Sequence, residues 1–372
     1  MYFVHPQIRL ILAGKAKLSL IKPVNLKKLT EKLFSYFPEK QLIFTDMGRS
    51  AFKIIIEKLN LQNSEILMPA YICNIFAPIL ENYNIKPIFL DIDLKTFNIK
   101  TEEISRKITP QTKAILVSHT YGLPVDIEQI RKITNNQLLI IEDCAHSFGA
   151  KTGNSGDVAF FSIYKQFPTL RGGLLTCPQD WEVRLPQTSF NLRDLISFLN
   201  CFSFFAFLFK KFGQRIAPKI VRKEKLSEAA GLNRVSLNLF SDFLCDFERS
   251  LEKRKELALL FQEELKMLGF EVQEAENNVF CYLSALVPAN LKEKRDKIVE
   301  RLRKYKVFCT RIWHTPIILN KEAQREYQIN LEEFPNTKEA ASRIINFPLQ
   351  NHYTKKDIKK MVVAIKKTMD QI

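Results

Sequence analysis

The stretch that decides the fold is PIFLDIDLKTFNIKTEEISRKITPQTKAILVSHTYGLPVDIEQI, which spans residues 87–130. PIFLDID and KAILVSHTYG are apolar runs that predict strands, whereas TEEISRKI and DIEQI have the spacing of helices. The same alternation continues on both sides, with the strand-like SEILMPAY before it and QLLIIEDCAHSFGA after it. Continuous apolar strands that alternate with helices predict an α/β fold with a mostly parallel sheet, covered on both faces.

Polar residues follow two of these predicted strands. His119 and Tyr121 come after one strand, and Asp143 and His146 come after the next. Ligands of such sheets bind beyond the carboxyl ends of the strands. The sequence therefore predicts a ligand site at this edge, with a carboxylate and an imidazole in it.

Composition limits the classes of function. The chain has 372 residues, is 46% hydrophobic and carries a formal net charge of +16, so it can bury a large core and favours anionic partners. We do not expect nucleic acid, because zinc-finger spacings, RNA-binding aromatic signatures and basic-region heptads are missing from the sequence. Seven widely spaced cysteines without a C-x-x-C pair argue against a disulfide framework or a metal site, and they indicate a reducing, cytoplasmic location.

The apolar segment LISFLNCFSFFAFLF, residues 195–209, is unusual in an otherwise ordinary composition. It is shorter than the roughly 20 residues that a membrane-spanning helix needs. We expect a helix that is buried or lies in an interface. The alternative is a helix that lies on a membrane surface and is held there by the basic residues after it.

Lys165 follows the apolar run GDVAFFSIY and has two interpretations. It is either an exposed loop lysine, the usual case, or a desolvated amine suited to forming a Schiff base. The second interpretation gains from the surrounding residues, because pyridoxal 5'-phosphate needs a carboxylate at its pyridine nitrogen and a phosphate cradle. Asp143 offers the carboxylate, His146 a flat ring, and the helix start in TDMGRSAFKIIIEKL, residues 45–59, the cradle.

In their order along the chain, these pieces resemble the DegT-type (DegT/DnrJ/StrS) pyridoxal-phosphate-dependent nucleotide-sugar aminotransferases. IIEDCAHSFGA fits the family's E-D-x-A-(Q/H)-S-x-G-A segment, and GDVAFFS with a following lysine and, seven residues later, GG fits its Schiff-base segment. FPNTKEAASRIINFPLQNHYTKKDIKKMVVAI is similar to its closing segment. The resemblance implies an aspartate aminotransferase-like fold (PLP fold type I), with a large domain built on a mostly parallel sheet and a smaller α+β C-terminal domain.

The resemblance also implies roles for single residues. Lys165 binds the cofactor covalently and later moves a proton, Asp143 pairs with the pyridinium nitrogen, and His146 stacks on the ring. The residues expected around the phosphate are Gly48, Arg49, Ser50 and Ser162. His119 and Tyr121 are expected to line the substrate side of the pocket.

The chain departs from the family pattern around the cofactor. The spacing from Ser162 to Lys165 is three residues, where the family has five. The family's Ser-Gly-Thr phosphate signature is replaced here by GRS, so a charge-assisted phosphate contact from Arg49 is expected. The aromatic residue on the ring's other face falls on Cys73, with Tyr71 as the nearby substitute.

Two further departures concern the substrate and the partner subunit. The family's substrate-facing histidine falls on Trp313, with His314 beside it. GLNRVS is a faint counterpart of the segment that reaches the neighbouring subunit's phosphate, which makes Asn233 the candidate there.

The predicted organisation is an N-terminal segment, a PLP-binding large domain with a Phe-rich insertion at about 181–230, and a small C-terminal domain; their bounds are 1–40, 41–245 and 246–372. The predicted activity is transfer of an amino group from an amino acid, with glutamate expected, to a nucleotide-linked keto-sugar in surface-polysaccharide or amino-sugar biosynthesis. A cytoplasmic homodimer is expected. The alternative is a PLP-binding homologue without transaminase activity that acts as a regulator or membrane-docked partner of polysaccharide assembly, with membrane contact through residues 195–209.

Overall fold

The structure of the chain is a computed structural model that describes residues 1–216 and 228–372. Its strands are β1 Tyr2–Phe3, β2 Gln41–Thr45, β3 Glu65–Pro69, β4 Lys86–Leu90, β5 Thr112–Ser118, β6 Leu139–Asp143, β7 Val158–Ser162, β8 Gly173–Cys177, β9 Glu271–Val272, β10 Leu283–Leu286, β11 Val307–Phe308 and β12 Ile344–Phe347. Its α-helices are α1 Ala13–Leu18, α2 Leu26–Phe34, α3 Gly48–Lys58, α4 Ala77–Asn82, α5 Ile104–Lys107, α6 Ile127–Ile133, α7 Leu192–Asn200, α8 Ser203–Ile216, α9 Arg234–Leu244, α10 Phe247–Met267, α11 Arg295–Leu302, α12 Lys321–Glu326, α13 Pro335–Arg343 and α14 Lys355–Met369.

A seven-stranded sheet in the order β2-β8-β7-β6-β5-β3-β4 forms the larger part of the molecule. The strands from β7 to β4 pair in parallel, and β8 runs antiparallel to both of its neighbours. The predicted α/β fold with a mostly parallel sheet is therefore confirmed. Six strands end at the same edge, which is where a ligand site is expected.

Both faces of this sheet are buried, because alternate residues of each strand enter different parts of the core. Met68 and Phe160 pack with helix α3 on one face, whereas Leu67 packs with α6 on the other. Phe161 enters a third cluster, together with Phe240 of α9. The apolar runs of the sequence are thus explained by helices on both sides of the sheet.

The C-terminal third has its own sheet and its own core. Strand β10 pairs antiparallel with β9 and β12, and helices α10 and α14 pack against the same apolar cluster. Strand β1 at the N-terminus joins this region by pairing in parallel with β11. The architecture agrees in kind with the predicted α+β C-terminal part, while the exact domain bounds stay a prediction.

The Phe-rich segment forms two helices instead of one. Helix α7 ends at Asn200, and the axis of the following helix turns by 108°. Several apolar side chains of the pair are exposed, including Leu192 at 71% and Phe204 at 62%. Within the described residues no single helix is long and apolar enough to cross a membrane. The two helices of this bent pair, taken together, have the length and composition of a membrane span, and nothing else indicates one. Part of the predicted insertion, residues 217–227, lies outside the described residues.

Candidate functional site

The carboxyl ends of β5, β6 and β7 lie side by side. Asp143, the last residue of β6, pairs in register with Ser118 of β5 and with Phe160 of β7. Helix α3 begins three residues after the end of β2, at the same edge of the sheet. This edge therefore collects Asp143, the turn that carries Lys165 and the helix start at Gly48.

Asp143 is a buried carboxylate with one unused oxygen. Only 3% of the residue is exposed, and its Oδ1 accepts a hydrogen bond of 3.0 Å from the backbone N–H of Ala145. No described residue donates to Oδ2. Burial raises the pKa of Asp143, while the positive charge of Lys165 opposes that rise. Such a carboxylate is suited to receive a cationic N–H group.

Lys165 lies against His146. Its Nζ is 2.9 Å from Nε2 of the imidazole, and the other ring nitrogen, Nδ1, accepts from the backbone N–H of Tyr121 at 3.2 Å. Burial, followed by the charge of Lys165, lowers the pKa of His146 well below its usual value, so the ring is neutral. The contact brings the amine of Lys165 to the Nε2 edge of the imidazole.

One tight turn delivers the lysine. Strand β7 ends at Ser162, and residues 163–165 form a single 3-10 turn that is held by a hydrogen bond from the backbone N of Ile163 to the carbonyl of Gly172. The side chain of Gln166 then donates to the carbonyls of His146 and Phe148, at 3.2 and 3.0 Å. The spacing of three residues therefore suffices to bring the amine to the imidazole.

The start of α3 and the neighbouring strand ends form a compact cradle. A Cβ on Gly48 would lie 3.3 Å from the carbonyl oxygen of Phe161, next to Ser162. A Cβ on Gly173 would lie 2.4 Å from Oγ1 of Thr45, so only glycine fits there. Backbone N–H groups at a helix start bind phosphate well. The sequence signal for this close approach was the glycine pair Gly172 and Gly173 that follows the lysine. The sequence did not show that Gly173 contacts the loop before α3.

The charges at this helix start are favourable for an anion. Arg49 is half-buried, and its charge helps to lower the pKa of Lys53, after the larger effect of burial. The hydroxyl of Ser50 donates to Asp46 at 2.6 Å, so in this structure it supports the loop. Arg49 is thus a cation on the first turn of α3, while the Asp46 carboxylate accepts a hydrogen bond from Ser50.

An aromatic wall surrounds His146. The ring centroid of Trp313 is 4.9 Å from that of His146, that of Tyr282 is 5.2 Å away, and that of Tyr121 is 5.7 Å away. Tyr71 is fully buried and its hydroxyl bonds to that of Tyr121 at 2.8 Å. Burial raises the pKa of both tyrosines, so they stay neutral donors. Tyr282 was missed, because nothing in its local sequence marks it.

Two members of this wall have unusual backbone conformations. Tyr121 and Trp313 have φ angles of 59° and 61°, in the left-handed region that large side chains rarely adopt. The Tyr121 hydroxyl donates to the carbonyl of Ile312 at 2.7 Å and so connects the two segments. Strain of this kind persists where the surroundings hold it, and it concentrates at functional sites.

Two expected positions, His119 and His314, differ in the structure, and the role of a third, Asn233, is not tested by it. His119 does not line a pocket, because it is buried with Nε2 at 2.9 Å from Glu142 and with Nδ1 accepting from Val125. His314 faces a separate cavity, whose lining does not include Lys165. Asn233 caps α9 and donates to Asp194 at 3.2 Å, so its contact with a partner subunit stays a prediction.

Cys73 is half-buried at the N-terminal side of a 3-10 turn, where it forms an isolated bridge with Pro316. Trp313, by contrast, reaches the centre of the site through its contact with His146. The aromatic residue that the sequence placed on the other face of the cofactor ring, at Cys73 or Tyr71, stays a prediction.

The residues present fit pyridoxal phosphate. The pyridine nitrogen needs a buried carboxylate, which Asp143 provides, and the aldehyde needs an amine, which Lys165 provides. The phosphate needs a positive helix start with room for close approach, which the loop at Gly48 provides. His146 has a flat face beside the amine.

Comparison with known proteins agrees with this chemistry. A family model described as the DegT/DnrJ/EryC1/StrS aminotransferase family matches residues 19–366. The dTDP-3-amino-3,6-dideoxy-alpha-D-galactopyranose transaminase of Aneurinibacillus thermoaerophilus is 26% identical, over 90% of this chain and 87% of its own length. The GDP-perosamine synthase of Escherichia coli O157:H7 is 25% identical, over 77% of this chain and 74% of its own length. The crystal structure of NtdA from Bacillus subtilis with bound cofactor PMP has a TM-score of 0.74 at 20% identity and covers 98% of this chain and 83% of NtdA.

Proposed function

We infer the reaction from one premise: the chain belongs to the DegT/DnrJ/EryC1/StrS aminotransferase family. It is a pyridoxal-phosphate-dependent sugar aminotransferase, and pyridoxal 5'-phosphate is its cofactor. The observation that carries the assignment to named residues is the contact of 2.9 Å between Lys165 Nζ and His146, beside the unpaired oxygen of Asp143.

We propose that the amino acceptor is a nucleotide-linked keto-sugar and that glutamate is the donor. Two relatives act in the formation of dTDP- and GDP-linked amino sugars by their names, which supports the acceptor class. The net charge of +16 suits a substrate with a diphosphate. We place this chain in surface-polysaccharide or amino-sugar biosynthesis, because the names of both relatives describe nucleotide-linked amino sugars.

Each residue of the site is assigned a separate role in the reaction. The bound cofactor supplies an electron sink for the carbon that gains or loses the amino group. Asp143 holds a proton at the ring nitrogen, since its buried carboxylate stabilises the positive charge there. The amine of Lys165 holds the cofactor between turnovers and moves a proton to and from the substrate carbon. His146 and Trp313 fix the ring's orientation and exclude water.

The active protein is proposed to be a cytoplasmic homodimer with each site completed at the subunit interface. Fold-level analogy supports this assembly. The alternative of a cofactor-binding regulator without transaminase activity gains nothing from the geometry, because the carboxylate, the amine and the cradle are all in place.

Isotope transfer tests the proposal. Purified enzyme is incubated with glutamate labelled with ¹⁵N at its amino group and with a panel of dTDP- and GDP-linked keto-sugars, and the nucleotide products are analysed by mass spectrometry. We expect the label in one amino sugar with the wild type and none with Lys165→Ala. Transfer by Lys165→Ala at the wild-type rate, or no transfer to any sugar of the panel by a cofactor-loaded wild type, would count against the proposal.

A further inference from the structure

A cavity of about 490 Å³ opens beside the lysine turn, between the N-terminal segment and α10. Its charged lining is strongly one-sided, with five cations and one carboxylate: Arg9, Lys165, Arg249, Lys253, Arg254 and Asp246. A cavity with this imbalance attracts and retains anions.

Arg254 is the member of this lining that is buried. Only 8% of it is exposed, and its one hydrogen bond to a described residue runs from Nη1 to Oε1 of Gln166, at 3.0 Å. The ring of Phe247 lies 5.8 Å from its Cζ, and no carboxylate of the described residues pairs with it. Burial lowers the pKa of Arg254. A buried guanidinium without an anion is costly, so the site is incomplete as it stands.

Two further polar atoms around the cavity are also without partners. Oε1 of Gln7 and Nδ1 of His352 are buried and make no hydrogen bond with the described residues. Burial, followed by the charge of Arg9, lowers the pKa of His352 to about 4, so its ring is neutral at pH 7. Native proteins satisfy nearly all buried polar atoms, and these two therefore also indicate a bound ligand.

The cavity is adjacent to the reactive amine. Lys165 is part of its lining, and the next residue in the chain, Gln166, accepts the hydrogen bond from Arg254. Cys281 is close to both, because its Sγ is 4.0 Å from the carbonyl of Lys165 and the charges of Arg254 and Lys165 both act on its thiol. An anion bound at Arg254 therefore lies in a cavity that Lys165 also lines.

We propose that Arg254 binds the α-carboxylate of the amino donor. This proposal rests on the proposed function. In an amino acid the carboxylate is attached to the same carbon as the amine, so its receptor must lie close to Lys165. The diphosphate of a nucleotide-sugar lies beyond a sugar ring and needs a receptor further away. Arg254 matches the first requirement, and its charge-assisted hydrogen bonds would select α-amino acids over simple amines.

The test compares glutamate with isoglutamine, whose α-carboxylate is replaced by a neutral amide. The variants are Arg254→Gln, the conservative Arg254→Lys, and the control Lys255→Gln, which removes a charge from the next position of α10 without lining the cavity. For Arg254→Gln we expect kcat/KM to fall about 30-fold or more for glutamate, and by less than about threefold for isoglutamine. Arg254→Lys should recover part of the loss, and Lys255→Gln should match the wild type.

A binding measurement separates this proposal from the function itself. Glutarate, an unreactive dicarboxylate, should raise the Tm of the wild type and of Lys255→Gln but not that of Arg254→Gln. Absence of a shift in the wild type would overturn the subsite, whichever reaction the enzyme catalyses. Equal losses with glutamate and isoglutamine would also overturn it, since they would show that Arg254 only supports Gln166. A loss confined to the sugar half-reaction would assign the cavity to the diphosphate and overturn it as well.

Discussion

Asp143 shows how burial prepares a residue for one role. Its carboxylate is almost completely buried, accepts one backbone hydrogen bond and keeps one oxygen free, so a cation is needed to balance it. We predict that Asp143→Asn retains the lysine-bound cofactor but loses roughly 100-fold or more in turnover, because the ring nitrogen loses its anionic partner. Visible absorbance measures retention, and the ¹⁵N assay measures turnover.

The control for this variant is Asp180→Asn, an exposed aspartate outside the site, which should behave as the wild type. Unchanged turnover in Asp143→Asn would show that another group balances the cofactor.

His146 makes stability depend on pH. Burial lowers its pKa below the ordinary value of 6.5, so just below pH 6.5 the imidazole is protonated in the unfolded chain and neutral in the folded chain. The corresponding stabilisation is complete above pH 6.5 and is lost as the pH falls below 6.5 toward the lowered folded value. We predict that His146→Gln, without cofactor, loses less stability over this acid range than the wild type does, as measured by urea unfolding. Parallel curves for the two proteins would contradict this account.

At the scale of elements, the loop before α3 and strand β8 depend on Gly173. A methyl group there would collide with Thr45 and Met47. We predict that Gly173→Ala lowers the free energy of unfolding by about 1–3 kcal/mol and weakens cofactor binding, because the cradle has to move. Urea unfolding and cofactor titration provide the two measurements.

Gly14→Ala is the matched control, since a Cβ at this position in α1 meets nothing within 4 Å. It should leave cofactor binding unchanged and stabilise by about 0.5–1 kcal/mol. Normal cofactor affinity in Gly173→Ala would show that the cradle tolerates the shift.

The elements of the sheet were predictable, and the site was predictable in part. Apolar runs and helical spacing predicted the strands β4 to β6 and the sheet edge that holds Asp143, because these patterns can be recognised within a short stretch of sequence. The pairing of Trp313 with His146 and the burial of His119 against Glu142 depend on contacts between distant segments, which one sequence does not show. The bend at Asn200 was missed because an apolar run gives no sign of where a helix ends.

At the scale of the whole molecule, the bent pair α7–α8 leaves an apolar surface exposed. Phe204 and Phe205 are 62% and 37% exposed, which is unusual for large aromatic residues. We predict that this surface lies in the dimer interface, so the double variant Phe204→Ser/Phe205→Ser should shift a dimer toward monomer in sedimentation velocity. Leu259→Ser, at an exposed site of α10, should have no effect.

Flotation with anionic liposomes tests the alternative for this surface. Wild-type protein that floats, when the double serine variant does not, would assign the pair to a membrane surface and contradict the interface.

The central claim is that Lys165 is the amine that binds the cofactor, and trapping it chemically is the most direct test. The enzyme is loaded with pyridoxal phosphate, reduced with borohydride, digested and sequenced by mass spectrometry. The structure predicts one reduced cofactor adduct, on Lys165, and none at that position in Lys165→Ala. An adduct confined to another lysine, or no adduct in a protein that catalyses transfer, would contradict the account.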